Sequence, residues 1–121
     1  MNFLLIAIGG ATGALTRYGI YEWSARTLGT AFPYATFIVN VVGSFVIGIL
    51  AVWLASRLAF AAELRALLIV GFLGAFTTFS SFSIDTITLF RDTPWLGALN
   101  ILLNVGVCLL AVYIGMLLAS K

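Results

Sequence analysis

The stretch from Gly71 to Ser83 reads G-F-L-G-A-F-T-T-F-S-S-F-S and decides the fold of this chain. It lies inside a long apolar segment, yet it holds two glycines, five hydroxyl residues (Thr77, Thr78, Ser80, Ser81, Ser83) and phenylalanines at 76, 79 and 82. Filling a bilayer requires only apolar side chains, so this stretch serves something besides packing.

The rest of the chain supplies its setting. Of 121 residues, 63% are hydrophobic and 8% are charged, whereas a soluble domain carries roughly 25% charged residues. The chain reads as a membrane protein. A spanning helix takes about 20 apolar residues, so the length holds about four spans with short loops and no soluble domain. The net charge of +2 is small and the cations are scattered, which speaks against nucleic acid as a partner and leaves the lipid bilayer as the surroundings. One cysteine, Cys108, and no histidine exclude a disulfide framework or a thiolate–imidazole metal cluster. The apolar N-terminus lacks a basic leader and reads as a retained first helix.

The spans are expected at about 3–23, 35–56, 64–90 and 95–119, in a single membrane domain. Pro33 suits the first turn of the second helix, Glu63 the N-terminus of the third, and Asp92-Thr93-Pro94 opens the fourth. Trp23, Tyr34, Trp53 and Trp95 fall near the span ends, where interfacial aromatics belong. The expected fold is an all-α bundle of four transmembrane helices. Orientation has no clear vote: Arg57, Arg65 and Lys121 would share one side, and Arg26 and Arg91 the other, with Arg17 nearby. A chain without charge bias can insert both ways, and two opposed copies can pair about a two-fold axis in the membrane plane.

The third span's midpoint falls near Thr77. Glycine removes side-chain support, and hydroxyls can re-satisfy freed backbone groups, so a helix break is tolerable there when protein surrounds it. In an antiparallel pair the freed carbonyls of both chains would meet near the axis and could hold one small hard cation. The other reading is an unbroken helix packed closely through its small residues. Phe76, Phe79 and Phe82 form a stripe at spacing three. Their positive ring edges, beside Ser80 and Ser81, suit a small anion; the plainer role is packing against lipid or helices.

Asn40 lies deep in the second span, and Asn100, Asn104 and Cys108 recur every four residues along one face of the fourth. Carboxamides donate hydrogen bonds without charge, so they can solvate a dehydrating anion and release it. They serve equally well as interhelical hydrogen-bond partners. Arg17, roughly 20 Å along the first span, either snorkels or lines a wet vestibule. Asp85, late in the third span, could partner a cation. The G-G-A-T-G-A run at Gly9 to Ala14 follows no strand, so it is a close helix contact rather than a nucleotide loop.

Three motifs carry a resemblance over essentially the whole chain: G-G-A-T-G-A-L-T-R-Y at 9–18, G-T-x-x-x-Y-x-T-F-I-V-N-V-V-G-S-F at 29–45, and G-x-x-G-A-F-T-T-F-S-S-F-S at 71–83. The sequence resembles the Fluc/CrcB family of small fluoride channels. That resemblance implies an antiparallel, dual-topology homodimer with a broken third helix, two fluoride pathways and a central structural sodium ion. By motif, Phe79 and Phe82 match the phenylalanines whose ring edges contact fluoride, Asn40 the pore asparagine, and Arg17 the vestibule arginine. Gly74 and Thr77 match the positions whose backbone carbonyls hold sodium. The fourth-helix track commonly holds tyrosine, serine or threonine, where Asn100, Asn104 and Cys108 stand here. Ser81 and Asp85 replace the commoner threonine and glutamate, and Phe76 has no assigned role.

The implied function is passive export of fluoride from the cytoplasm across a bacterial inner membrane, giving fluoride resistance. Hydrogen fluoride enters neutral and dissociates inside, and a selective leak empties the trap. A small multidrug-type exchanger is the nearest competitor, but it needs a carboxylate inside its first helix, and Glu22 lies near that helix's end. An accessory subunit would leave the midplane cluster unexplained. An enzyme is disfavoured by the lack of histidine and of paired core carboxylates.

Overall fold

The structure, a computed structural model, describes residues 2–57 and 59–121. Four helical segments are long and apolar enough to cross a membrane: Asn2–Thr27, Tyr34–Ala55, Ala61–Asp92 and Pro94–Ala119. The first two are α1 and α2. The third divides into α3 (61–76) and α4 (Phe79–Asp92) around an extended pair, Thr77–Thr78. The fourth is α5 (Pro94–Ala119), opened by Pro94 in its first turn, where a missing N–H costs nothing. Glu63 lies in the first turn of α3.

The interior is small. Val39, Leu73 and Phe76 form its centre, with Tyr21, Val46 and Phe72 half-buried around them. Between 11% and 28% of the 18-residue apolar stretch within each span is buried in one chain, so the outer surface is a jacket of leucine, isoleucine, valine and aromatic side chains. In water such a surface would aggregate; against acyl chains it is the expected boundary. The chain is a multi-pass membrane protein.

Helix contacts are made through backbone approach rather than large side chains. A Cβ on Gly9 would strike the Leu67 carbonyl, and one on Gly13 the Phe72 carbonyl. The Gly9-x-x-x-Gly13 ridge therefore sets the distance between α1 and α3, as small residues do where lipid gives no hydrophobic drive. Facing that ridge, α3 is widened into π-helical turns over Arg65–Leu73. On the other side of the bundle, Gly48 and Gly115 bring α2 against α5 in the same manner.

The break falls at the expected mid-span position, on Thr77–Thr78, and on neither glycine. Gly71 and Gly74 stay helical, Gly74 with φ −60° and ψ −33°. Thr77 turns to ψ 157° and Thr78 to φ −152°, ψ 115°. Two consecutive β-branched residues disfavour the helix, and a threonine hydroxyl offers the next helix a cap. The break also cuts the phenylalanine stripe: Phe76 is 3% exposed in the core, while Phe79 is 76% exposed. Spacing by three does not hold a common face across an extended pair.

Candidate functional site

Thr77 and Thr78 carry the local chemistry. The Thr77 amide and hydroxyl both donate to the Leu73 carbonyl, at 3.0 and 2.9 Å, ending α3. Thr78 starts α4 as its N-cap, its hydroxyl accepting from the Ser81 amide at 3.1 Å. The Thr78 amide, which a continuous helix would send to Gly74, donates instead to Asn40 Oδ1 at 2.8 Å. Asn40 Nδ2 donates back to the Thr78 carbonyl at 3.1 Å. One carboxamide thus satisfies both backbone groups of an extended residue in mid-span, where an unpaired amide or carbonyl costs several kcal/mol.

Interrupting the helix leaves two sets of groups unpaired by the backbone. Among the described residues, no backbone amide donates to the carbonyls of Gly74, Ala75, Phe76 or Thr77. At the start of α4 the Phe79 and Ser80 amides likewise find no carbonyl, as first-turn amides do not. A helix C-terminus and a helix N-terminus, with opposite partial charges, therefore lie two residues apart.

A groove of about 450 Å³ opens beside this break. Asn40, Gly74, Thr77, Phe79, Phe82, Asn104 and Cys108 all line it, joined by Gly43, Ser44 and Thr78. Phe79 and Phe82 stand 5.3 Å apart between ring centroids and tilted by 57°, so ring edges as well as faces are presented. Gly43 is part of the fit, since a Cβ there would collide with the Thr77 methyl.

The remaining sequence-selected residues lie elsewhere. Asn100 is fully buried behind the groove, and Ser80 is exposed and Ser81 half-buried on the first turn of α4. Arg17 is half-exposed on α1, away from the groove lining. Among the described residues Asp85 meets no cation: its Oδ2 accepts from Thr36 Oγ1 at 2.7 Å, and Thr36 lies 2.6 Å from the Tyr21 hydroxyl. This trio borders a second cavity of about 270 Å³ among α1, α2 and α4. The ion pair found among the described residues joins Arg26 to Glu22 at 3.3 Å on the exposed end of α1.

The sequence model of the family described as CrcB-like protein, Camphor Resistance (CrcB), matches residues 4–116. The chain belongs to this family. Among curated relatives, a protein of Methylococcus capsulatus named fluoride-specific ion channel FluC is 48% identical over 126 residues, covering 100% of this chain and 54% of that protein. The same name is carried by a Rhizobium leguminosarum bv. trifolii protein, 50% identical over 114 residues, with 93% of this chain and 91% of that protein covered. It is carried also by a Shewanella sp. (strain ANA-3) protein, 45% identical over 115 residues and 94% of this chain. The chain thus spans about half of the first relative and about nine-tenths of the others.

In this CrcB-like chain several contributors were not singled out by sequence reasoning. Thr36 stands one helical turn before Asn40, and Thr86 one turn after Phe82, which is the spacing that shares a face. Thr78 was visible only as one hydroxyl among five; its capping role depends on where the helix stops.

Proposed function

We propose that this chain forms a fluoride-specific passive channel that lets fluoride leave the cytoplasm and so confers fluoride resistance. The single observation that carries the reading is the break at Thr77–Thr78 opening onto a groove edged by Phe79 and Phe82. α4 begins at the edge of that groove with Thr78 and Phe79, so the positive end of its dipole lies there, which favours an anion. The two rings add positive edges without a full charge, so an ion is attracted and still released. Ring edges and amide donors without a full charge suit a small anion that sheds its water better than they suit a larger one. The relatives named fluoride-specific ion channels support the same reading.

The functional unit is proposed to be an antiparallel homodimer of dual topology. Its support is the exposed face at the break, where Gly74 and Phe79 lie open in one chain, and the even spread of cations. A structural sodium ion belongs to the same proposal. The Gly74 and Thr77 carbonyls are hard oxygen donors without backbone partners, the donor type that such a cation takes. One chain offers too few of them to surround the ion, so both copies would contribute. A bound sodium would supply fixed positive charge and tie the two breaks together.

The exchanger alternative fares poorly. Glu22 is paired with Arg26 near the end of α1 and is exposed, whereas proton–drug exchange requires an acid held inside the membrane.

The test is efflux from proteoliposomes loaded with fluoride or with chloride. Fluoride release with negligible chloride release is the expected result. Equal release of both, or of neither from folded dimeric protein, overturns the reading.

A further inference from the structure

Hydrogen bonds running from the groove wall into the interior form one directed chain. Asn40 Nδ2 donates to Asn104 Oδ1 at 3.2 Å, and Asn104 Nδ2 donates to Asn100 Oδ1 at 3.0 Å and to the Asn100 carbonyl at 3.1 Å. Asn100 Nδ2 donates to Thr86 Oγ1 at 2.9 Å, and Thr86 Oγ1 donates to the Phe82 carbonyl at 2.7 Å. The chain leaves α4 at Thr78, held by Asn40, and returns to α4 at Phe82. Between these two anchors lies only the turn that carries Phe79 and Phe82.

Donor accounting decides what the carboxamides do. A carboxamide has two N–H groups. Those of Asn40 go to the Thr78 carbonyl and to Asn104, and those of Asn104 go to the two Asn100 oxygens. Each of these nitrogens is thus held by two protein oxygens. Asn100 and Thr86 are 0% and 5% exposed, so no ion in the groove can reach them. A satisfied buried network of this kind specifies one geometry, because each broken link leaves a polar group unpaired in a low-dielectric interior.

We infer that Asn104, Asn100 and Thr86 are positioning residues: with Asn40 they form a relay that fixes the Phe79–Phe82 turn and thereby the orientation of both rings at the groove. The inference rests on the fluoride-channel reading for its effect on flux, and on geometry alone for its effect on the rings. It gives Asn100, which is fully buried, and Asn104, at the groove wall, a place in the frame that aims the rings.

The experiment replaces Thr86, because Thr86→Val keeps the shape and removes both hydrogen bonds, while Thr86→Ser restores the hydroxyl. Full-length protein carrying 4-fluorophenylalanine at position 82 would be examined by 19F NMR in lipid bicelles, without added fluoride. The unlabelled variants would be assayed for fluoride efflux. Thr86→Val should shift or broaden the ring resonance and slow efflux by roughly tenfold, the scale of one buried hydrogen bond. Thr86→Ser should restore both. Asn104→Leu, which cuts the relay at its middle, should act on the ring signal as Thr86→Val does. An unchanged ring resonance in Thr86→Val and Asn104→Leu overturns the relay, whether or not the parent chain conducts. A changed resonance with undiminished efflux overturns its positioning role in conduction. Absent efflux in the parent chain sinks the channel reading and leaves the relay to be judged by the ring signal.

Discussion

Asn40 and Thr78 exchange two hydrogen bonds across 38 residues of sequence, 2.8 Å from the Thr78 amide to Oδ1 and 3.1 Å from Nδ2 to the Thr78 carbonyl. A side chain on α2 thereby replaces the backbone partner that a neighbouring strand would give. This pairing makes an extended residue tolerable in mid-membrane.

Removing the clamp should therefore cost stability as well as flux. Asn40→Leu leaves the Thr78 amide unpaired, a loss of about 1–3 kcal/mol, while the Thr78 carbonyl, as N-cap, keeps the first bond of α4. Asn40→Asp still accepts from the Thr78 amide, but it cannot donate and it adds negative charge beside an anion route. Thermal unfolding in detergent should show Asn40→Leu destabilised, and proteoliposome efflux should show both variants impaired. Wild-type unfolding in Asn40→Leu would mean that Thr78 finds another partner.

The two groove phenylalanines should separate flux from stability. Phe79 is 76% exposed and Phe82 8% exposed. Phe79→Ile should abolish most fluoride efflux while leaving the unfolding temperature unchanged. Phe82→Ile should lower both, the stability by about 1 kcal/mol for a change of shape in a packed site. Full efflux from Phe79→Ile would remove the ring-edge role.

Much of this site was legible because its chemistry is out of place. Hydroxyls and glycines in an apolar span pointed to mid-span disruption, and Asn40 stood out within I-V-N-V-V. What sequence could not assign was the cause of the break. Gly71 and Gly74 attracted attention as weak helix formers, yet Gly71 is packed against α1, 2.9 Å from the Ile6 carbonyl to its would-be Cβ, and Gly74 stays helical. The break falls on two threonines because one of them caps α4 and the other backs its hydroxyl onto α3. That choice depends on Asn40, 38 residues away. The asparagine spacing at 100 and 104 indicated a shared face correctly, but periodicity cannot tell a groove-lining amide from one whose donors are spent on a neighbour.

The Tyr21–Thr36–Asp85 trio gives a test away from the groove. Thr36 is 1% exposed and donates to Asp85, 49 residues on in the chain. Thr36→Val removes that donation and the partner of the Tyr21 hydroxyl, so α1, α2 and α4 lose a common tie worth about 1–3 kcal/mol. Thr36→Ser should recover most of it. Identical unfolding temperatures for Thr36→Val and the parent would show that the trio adds nothing to stability.

Two glycines on α1 supply a final contrast, since they differ in what stands over them. A Cβ on Gly13 would strike the Phe72 carbonyl, a backbone atom that cannot swing aside; at Gly19 none of the described residues comes within 4 Å. Alanine favours a helix over glycine by about 1 kcal/mol, so Gly19→Ala should leave the unfolding temperature unchanged or raise it. Gly13→Ala meets the same propensity gain and loses it to a forced separation of α1 from α3. Because α3 ends at the break, that separation displaces the Thr77 side of the groove as well as loosening the bundle. Gly13→Ala should accordingly unfold at lower temperature and pass less fluoride than Gly19→Ala. Equal behaviour of the two variants would show that the close approach of α1 to α3 is not what holds this half of the bundle in place.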